Sequence, residues 1–189
     1  MLNITGIKKE LNKNIYVDNA EDSIKENYII VTLSNILKVY EENDLDIKKQ
    51  ANAKTIKIPE EGLILEPNKL YLGSTNEYTK TQELVPVLSG LDDIACLGME
   101  IHITAGFGDN GFEGTWTLEI ICSNKTKIYP NMPIGRIYYH PLVGDSSIRY
   151  KGKYFGQIEP TETRVSIEYQ EVKYVNEWWN KKTNRTRKY

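Results

Sequence analysis

The glycine-rich stretch TAGFGDNGFEGTWTLEI carries three carboxylates, Asp109, Glu113 and Glu119. Alternation along the strand pattern GTWTLEIIC places Glu119 on the opposite face from Trp116 and Leu118. Because apolar residues occur on both faces, we expect this strand to be covered on both sides, with Glu119 in a largely buried row. Burial without a positive partner raises the pKa of a carboxyl towards neutrality, where it can both accept and donate a proton. The alternative is that Glu119 pairs with a neighbouring lysine or arginine, or lies at the rim of the sheet.

The other two carboxylates of this stretch have simpler interpretations. Asp109 falls in the turn GFGDNGFEG, where aspartate is common because its side chain hydrogen-bonds to backbone amides. Glu113 precedes Gly114 and is expected to be a solvent-facing hairpin charge. Among the three, only Glu119 is left as a candidate for chemistry, and the residue pattern alone favours its structural alternative.

Short strand patterns, separated by glycine and proline, dominate the chain from about residue 28 to about residue 170. KTIKIP, MEIHITA and RVSIEY are examples, rich in β-branched and aromatic residues. Many short strands with such turns predict a mostly β fold, an antiparallel sandwich, jelly roll or distorted barrel with short flanking helices. The opening segment predicts a helix over residues 3–12, capped by Asn3 or Thr5. A length of 189 residues suits one domain over residues 1–189.

The charge pattern gives little indication of a binding partner. The net charge of −2 predicts no acidic or basic partner, and nucleic acid binding is not expected. The basic tail, residues 171–189, is expected to be a solvated terminus, or else to touch an acidic surface. The segment VKYVNEWWNKK within it predicts a short helix anchored by Trp178 and Trp179.

Cys96 and Cys122 lie among apolar neighbours, which predicts two reduced core thiols. Because the sequence has no apolar run long enough to span a membrane, the chain is expected to be cytoplasmic.

The order and spacing of several motifs is specific. TAGFGDNGFEGTWTLEI is followed by PIGRIYY and then by YKGKYFGQ, and the set resembles the dCTP deaminase family within the dUTPase superfamily. The resemblance covers residues 63–160 well and the N-terminal third more loosely. It implies a distorted antiparallel β-barrel or jelly roll of the dUTPase-like (β-clip) type. It also implies a homotrimer with active sites between neighbouring chains.

The resemblance further implies an activity and a set of residue roles. Members of the family convert dCTP to dUTP and ammonia without a catalytic metal, and some continue to dUMP and pyrophosphate. Glu119 stands where the family glutamate activates the water that attacks C4 and carries its proton to the leaving nitrogen. Mg²⁺ is expected to travel with the triphosphate of dCTP or dUTP, with no metal site in the protein.

The remaining implied residues bind the nucleotide. The backbone near Ala105 and Gly106 meets the base, and Asp109 supports the deoxyribose with Phe112 packing nearby. The phosphate contacts fall on the tail motif, at Tyr150, Lys153 and Gln157. A lysine and a phenol suit that task because both donate hydrogen bonds to phosphate oxygens.

One segment departs from the family pattern. Where the family has a sequence close to GRSSLARLG, this chain has GLDDIACLG. Two arginines and two serines are thereby replaced, at Leu91, Asp92, Asp93 and Cys96. Two aspartates oppose a triphosphate unless a cation intervenes. Ile30 and Thr32 similarly fall where an aspartate and an arginine are usual.

Three interpretations follow from this mixture. The first is a divergent dCTP deaminase that rebuilt its site, with Arg136, His102 or His140 supplying charge. The second is a non-catalytic homologue that binds a nucleotide as a sensor or a sequestering protein. The third is a trimeric scaffold with no nucleotide. Either histidine can also be an ordinary strand residue, because no carboxylate or cysteine lies at a recognisable spacing.

Overall fold

The computed structural model of the chain describes residues 1–170, which divide into two compact units. The first comprises residues 1–39 and 54–161. The second joins residues 40–53 to the described residues from 162 onwards. The domain boundaries predicted from the sequence stay predictions, and the basic tail with Trp178 and Trp179 lies outside the described residues.

The described helices are few and short, as predicted, but one of them falls on RVSIEY, for which a strand was predicted, so that prediction was wrong. They are α1 (Ile4–Glu10), α2 (Asp92–Cys96) and α3 (Val165–Gln170), with a 3₁₀ turn at Glu21–Ser23. Asn3 caps α1, because its Oδ1 accepts a hydrogen bond from the amide of Gly6 at 3.0 Å. Ile7 is the buried residue of α1, while α2 buries Ile94 and has no side-chain cap.

Strands make up most of the ordered structure. They are β1 (Ile15–Val17), β2 (Ile29–Thr32), β3 (Ile36–Tyr40), β4 (Ala53–Lys57), β5 (Leu63–Leu65), β6 (Tyr71–Ser74), β7 (Thr79–Thr81), β8 (Leu84–Gly90), β9 (Met99–Glu100), β10 (Glu113–Gly114), β11 (Thr117–Cys122), β12 (Thr126–Ile128) and β13 (Pro133–Pro141). In the described part of the chain they form four sheets, ordered β1-β7-β10, β4-β3-β6-β11-β9, β12-β5 and β2-β13-β8. The pairs whose register is defined are antiparallel, which confirms the predicted mostly β, antiparallel fold.

Strand β11 has one fully buried face and one half-buried face. Its alternate residues Leu118, Ile120 and Cys122 are fully buried, whereas Thr117, Glu119 and Ile121 are half-buried. The second face is thus covered less completely than the first in the single chain, so the expectation that Glu119 lies in a largely buried row holds only in part.

The second unit contains the loop 40–53 and α3. Thr163 donates its amide hydrogen to the hydroxyl of Tyr40 at 3.0 Å. Glu42 accepts hydrogen bonds from the backbone and side-chain nitrogens of Asn52, at 3.1 and 2.8 Å respectively. Together the loop and α3 line a groove of about 530 Å³.

The core position Leu118 provides a test of this packing. Leu118→Ala is expected to lower the free energy of unfolding by about 2–5 kcal/mol, because a fully buried leucine leaves a cavity when truncated. Ile64→Ala is the matched control, since Ile64 is 56% exposed in the single chain. Urea denaturation of both variants measures the difference. Equal losses at the two positions contradict the assigned burial of β11.

Candidate active site

Glu119 lies in the middle of β11, opposite Leu72 of β6. Its carboxylate Oε2 accepts a long hydrogen bond of 3.4 Å from the amide of Ile103. Among residues 1–170 no lysine or arginine forms an ion pair with it. Burial raises the pKa of the Glu119 carboxyl, and the Ile103 amide and the nearby His102 offset part of that rise. The geometry therefore matches a half-buried carboxyl without a positive ion-pair partner, which was the first of the two sequence interpretations.

His102, one of the residues considered from the sequence as a source of charge, is a neighbour of Glu119. The imidazole is half-buried, and its Nδ1 atom is buried without a hydrogen-bond partner among the described residues. A Cβ atom on Gly106 would lie 3.3 Å from the His102 ring and 2.7 Å from the carbonyl oxygen of Leu88. A side chain at position 106 is thus excluded, and the backbone of this segment lies close against β8. Ala105 beside it is exposed.

Asp109 borders a mostly apolar groove of about 490 Å³. The groove is lined by Val85, Phe107, Gly108, Asp109, Asn110, Leu142, Ile148, Arg149 and Tyr150. The capping role expected of Asp109 belongs to Asn110, whose Oδ1 accepts from the amide of Glu83 at 2.8 Å and whose Nδ2 donates to the carbonyl of Ile148 at 2.8 Å. The exposed carboxylate of Asp109 is therefore not needed to hold the turn.

Aromatic contacts connect this groove to the tail motif YKGKYFGQ. The ring of Phe112 packs against Trp116 at 5.3 Å and against Tyr150 at 6.2 Å between centroids. Tyr150 donates its amide hydrogen to the carbonyl of Asn110 at 2.7 Å, and its hydroxyl accepts from the amide of Tyr154 at 3.1 Å. The fold thus brings Asp109, Phe112 and Tyr150 together.

Gln157 fixes the far end of the same motif to the sheet. Its side-chain Nε2 donates to the carbonyl of Thr115 at 2.8 Å and to Oγ1 of Thr117 at 3.2 Å. Thr117 and Glu119 share one face of β11, so the motif ends beside the candidate carboxylate. Lys153 is half-buried, with its ammonium 5.4 Å from the ring centroid of Tyr154.

Glu113 is more than a solvent-facing charge. Its carboxylate lies 3.3 Å from the ammonium of Lys80 and accepts a hydrogen bond from the hydroxyl of Tyr78 at 3.1 Å. Its side chain is 28% exposed. Glu113 therefore joins β10 to β7, a role that the expectation of a solvent-facing hairpin charge did not include.

The segment that departs from the family motif forms α2 and the residue before it. Leu91 packs against the core, while Asp92, Asp93 and Cys96 are exposed. The expectation of two core thiols therefore holds only for Cys122, because the short helix turns Cys96 outwards. Asp92 pairs with Arg136, which holds the pKa of its carboxyl below the usual range. In the described part of the chain no hydrogen bond or ion pair joins these positions to Glu119.

Residues 1–170 contain no group of three or more histidine, cysteine, aspartate or glutamate side chains arranged to hold a metal ion. Over the same residues no helix has the length and apolarity needed to span a membrane.

A family model described as dCTP deaminase-like matches residues 1–142. The chain belongs to this family. It is 52% identical over 149 residues to the "dCTP deaminase, dUMP-forming" of Hathewaya histolytica, covering 78% of this chain and 87% of that protein. It is 48% identical over 149 residues to the protein of the same name from Clostridium beijerinckii, covering 78% of this chain and 86% of that protein.

The fold agrees with this family assignment. A crystal structure of 2'-deoxycytidine 5'-triphosphate deaminase from Agrobacterium tumefaciens matches with a TM-score of 0.59 at 10% identity. The match covers 75% of this chain but 47% of that chain. The family resemblance inferred from the ordered motifs is thereby confirmed, and so is the dCTP deaminase-like fold.

The raised pKa of Glu119 has a consequence for stability. A carboxyl whose pKa is higher in the folded state stabilises the fold below its unfolded pKa, and this contribution is lost as the pH rises through the folded pKa. Glu119→Gln is therefore expected to melt at a higher temperature than the unaltered chain at about pH 7, with the difference shrinking towards about pH 4. Thermal melts across this range measure it.

Glu113→Gln is the matched control, because it removes a carboxylate that Lys80 and Tyr78 hold. It is expected to melt lower than the unaltered chain at about pH 7. A Glu119→Gln melting difference that does not change with pH contradicts the assigned environment of Glu119.

Proposed function

We propose that this chain catalyses the hydrolytic deamination of dCTP to dUTP, with Glu119 as the general acid and base. The observation that carries the proposal is the half-buried carboxyl of Glu119, with its raised pKa, in a chain about half identical to enzymes named dCTP deaminase, dUMP-forming. That name makes dUMP a candidate end product here as well. The proposed chemistry needs a group that takes and returns one proton near neutral pH, and such a carboxyl suits the task.

In the proposed reaction Glu119 takes a proton from a water molecule as the water oxygen attacks C4 of cytosine, and the π electrons of the C4–N3 bond move to N3. The bond between C4 and the exocyclic amino nitrogen then breaks, and the same carboxyl delivers its proton to that departing nitrogen. The products are dUTP and ammonia, so the proton is returned and Glu119 is restored. The amide of Ile103, 3.4 Å from Oε2, orients the carboxylate for both transfers.

The groove beside Asp109 is the proposed deoxyribose subsite. The exposed carboxylate of Asp109 can accept a hydrogen bond from the sugar hydroxyl, and the apolar lining suits the carbon face of the ring. Phe112 supports that wall through Trp116 and Tyr150. The backbone at Ala105 offers its polar groups to the base.

The tail motif supplies the proposed phosphate contacts, with Mg²⁺ carried by the nucleotide. Tyr150 and Lys153 provide a phenol and an ammonium as donors. Gln157 points both of its amide hydrogens at Thr115 and Thr117, so it anchors the motif to β11. A direct contact from Gln157 to a phosphate requires those hydrogen bonds to be exchanged.

A homotrimer in the cytoplasm is the proposed working form. Ile103, Phe107 and Ile148 are 50%, 77% and 83% exposed in the single chain and lie in or beside the proposed site. A neighbouring copy that covers these side chains buries apolar surface and closes the site to bulk water.

A non-catalytic nucleotide-binding protein is the second candidate. The observation that favours it is α2, which presents exposed Asp93 and Cys96 where the family motif has a serine and an arginine. Electrostatic groups aimed at a reacting centre are each worth about 10²–10³ in rate, so their loss lowers turnover. A scaffold that binds no nucleotide is the remaining alternative.

Turnover of common deoxynucleoside triphosphates with Mg²⁺, resolved by chromatography, separates these candidates. We expect dCTP to give dUTP or dUMP, and Glu119→Gln to lower the rate by about 10²–10⁴-fold because the proton carrier is lost. Unchanged nucleotides with a raised melting temperature support the non-catalytic binder. Unchanged nucleotides and an unchanged melting temperature support the scaffold.

Lys153→Ala tests the proposed phosphate contact. It is expected to weaken dCTP binding by roughly tenfold or more, because a charge-assisted hydrogen bond to phosphate is lost. Lys151→Ala is the matched control, an equal charge change two residues away at an exposed side chain. Calorimetric titration with dCTP measures both. Equal losses for the two variants indicate bulk electrostatics rather than a contact from Lys153.

A further inference from the structure

Asp92 and Arg136 form a two-point ion pair. Nη2 of Arg136 donates to Oδ1 of Asp92 at 2.8 Å, and Nη1 donates to Oδ2 at 3.1 Å. The two side chains are buried very unequally, with Arg136 16% exposed and Asp92 83% exposed. The guanidinium of Arg136 is therefore mostly buried in the protein, whereas the carboxylate of Asp92 lies mostly in solvent.

Two tyrosines hold the guanidinium of Arg136 in place. Its Cζ atom lies 5.4 Å from the ring centroid of Tyr28 and 5.6 Å from that of Tyr138. The two rings pack edge to face at 5.6 Å. Register places Arg136 between Ile30 of β2 and Ser89 of β8, on the half-buried face of the sheet. This aromatic cage fixes the direction of the guanidinium before any ligand arrives.

Breaking the ion pair costs Asp92 less free energy than it costs Arg136, because the two side chains are buried unequally. When the Asp92 side chain turns away, its carboxylate enters water, where it is already mostly exposed. Arg136 then keeps its cage but loses its carboxylate, and its buried Nε has no hydrogen-bond partner among residues 1–170. A mostly buried cation left in this way strongly favours a new anion. A phosphate presents the same pair of oxygens to a guanidinium as a carboxylate does.

We propose that the guanidinium of Arg136 is a phosphate-binding group of the nucleotide site, which Asp92 occupies until a nucleotide displaces it. This inference rests on the proposed function, because Asp92 lies in the segment GLDDIACLG, where the family motif has arginines and serines. The cation missing at Leu91 and Cys96 is then supplied from β13. Asp92 acts as an internal competitor, which lowers affinity for the triphosphate.

The test is calorimetric titration with inorganic triphosphate, which needs no turnover. Asp92→Asn is expected to bind it about tenfold more tightly than the unaltered chain, because the competing carboxylate is removed. Asp93→Asn is the matched control: it removes an equal charge one residue away and leaves the Asp92–Arg136 pair intact. Deoxycytidine, which has no phosphate, is expected to bind both variants equally.

Arg136→Lys and Arg136→Met, each combined with Asp92→Asn, identify the receiving cation. Both are expected to abolish most of the gain, since lysine keeps the charge but lacks the two-point fork. Having the lysine variant as well keeps the test decisive if the methionine variant does not fold. The inference is overturned if Asp92→Asn and Asp93→Asn gain equally, if the gain survives without Arg136, or if no variant binds triphosphate.

These outcomes separate the inference from the proposed deaminase activity. If the unaltered chain deaminates dCTP and Asp92→Asn gives no gain in triphosphate affinity, the inference fails and the activity stands. If the gain depends on Arg136 while every nucleotide is recovered unchanged, the phosphate group stands and the activity fails.

Discussion

The placement of one carboxylate on the outer face of β11 is the constraint around which the candidate site is arranged. The inner face of this strand is committed to the core through Leu118, Ile120 and Cys122, so strand alternation leaves Glu119 no other direction. Antiparallel pairing with β6 and β9 holds the strand on both sides. Half-burial without an ion-pair partner then raises the pKa of the Glu119 carboxyl. Keeping that carboxyl ionised costs folding free energy, which the packing of the core around β11 offsets.

Two elements beside Glu119 are joined to β11 through hydrogen bonds. The segment after β9 returns an amide to the carboxylate at Ile103, and the tail motif ends on Thr115 and Thr117 through Gln157. Hydrogen-bonded segments at the surface can open locally at less cost than the core.

Much of the fold and part of the site could be predicted from the sequence. Short β-branched runs between glycine and proline predicted the antiparallel strands, and alternation placed Glu119 on the face opposite Leu118. Pairings between distant residues could not be predicted. The contact between Asp92 and Arg136 depends on the register of β13 with β8, which local periodicity does not determine.

The two cysteines of this chain differ in exposure. Cys96 is exposed on α2, whereas Cys122 is fully buried and its pKa is raised by burial. Burial disfavours thiolate formation at Cys122, and access to reagent favours Cys96 in alkylation. A maleimide dye should therefore label α2 selectively without any engineered cysteine, four positions from Asp92. Fluorescence from that dye would report the surroundings of the helix in real time.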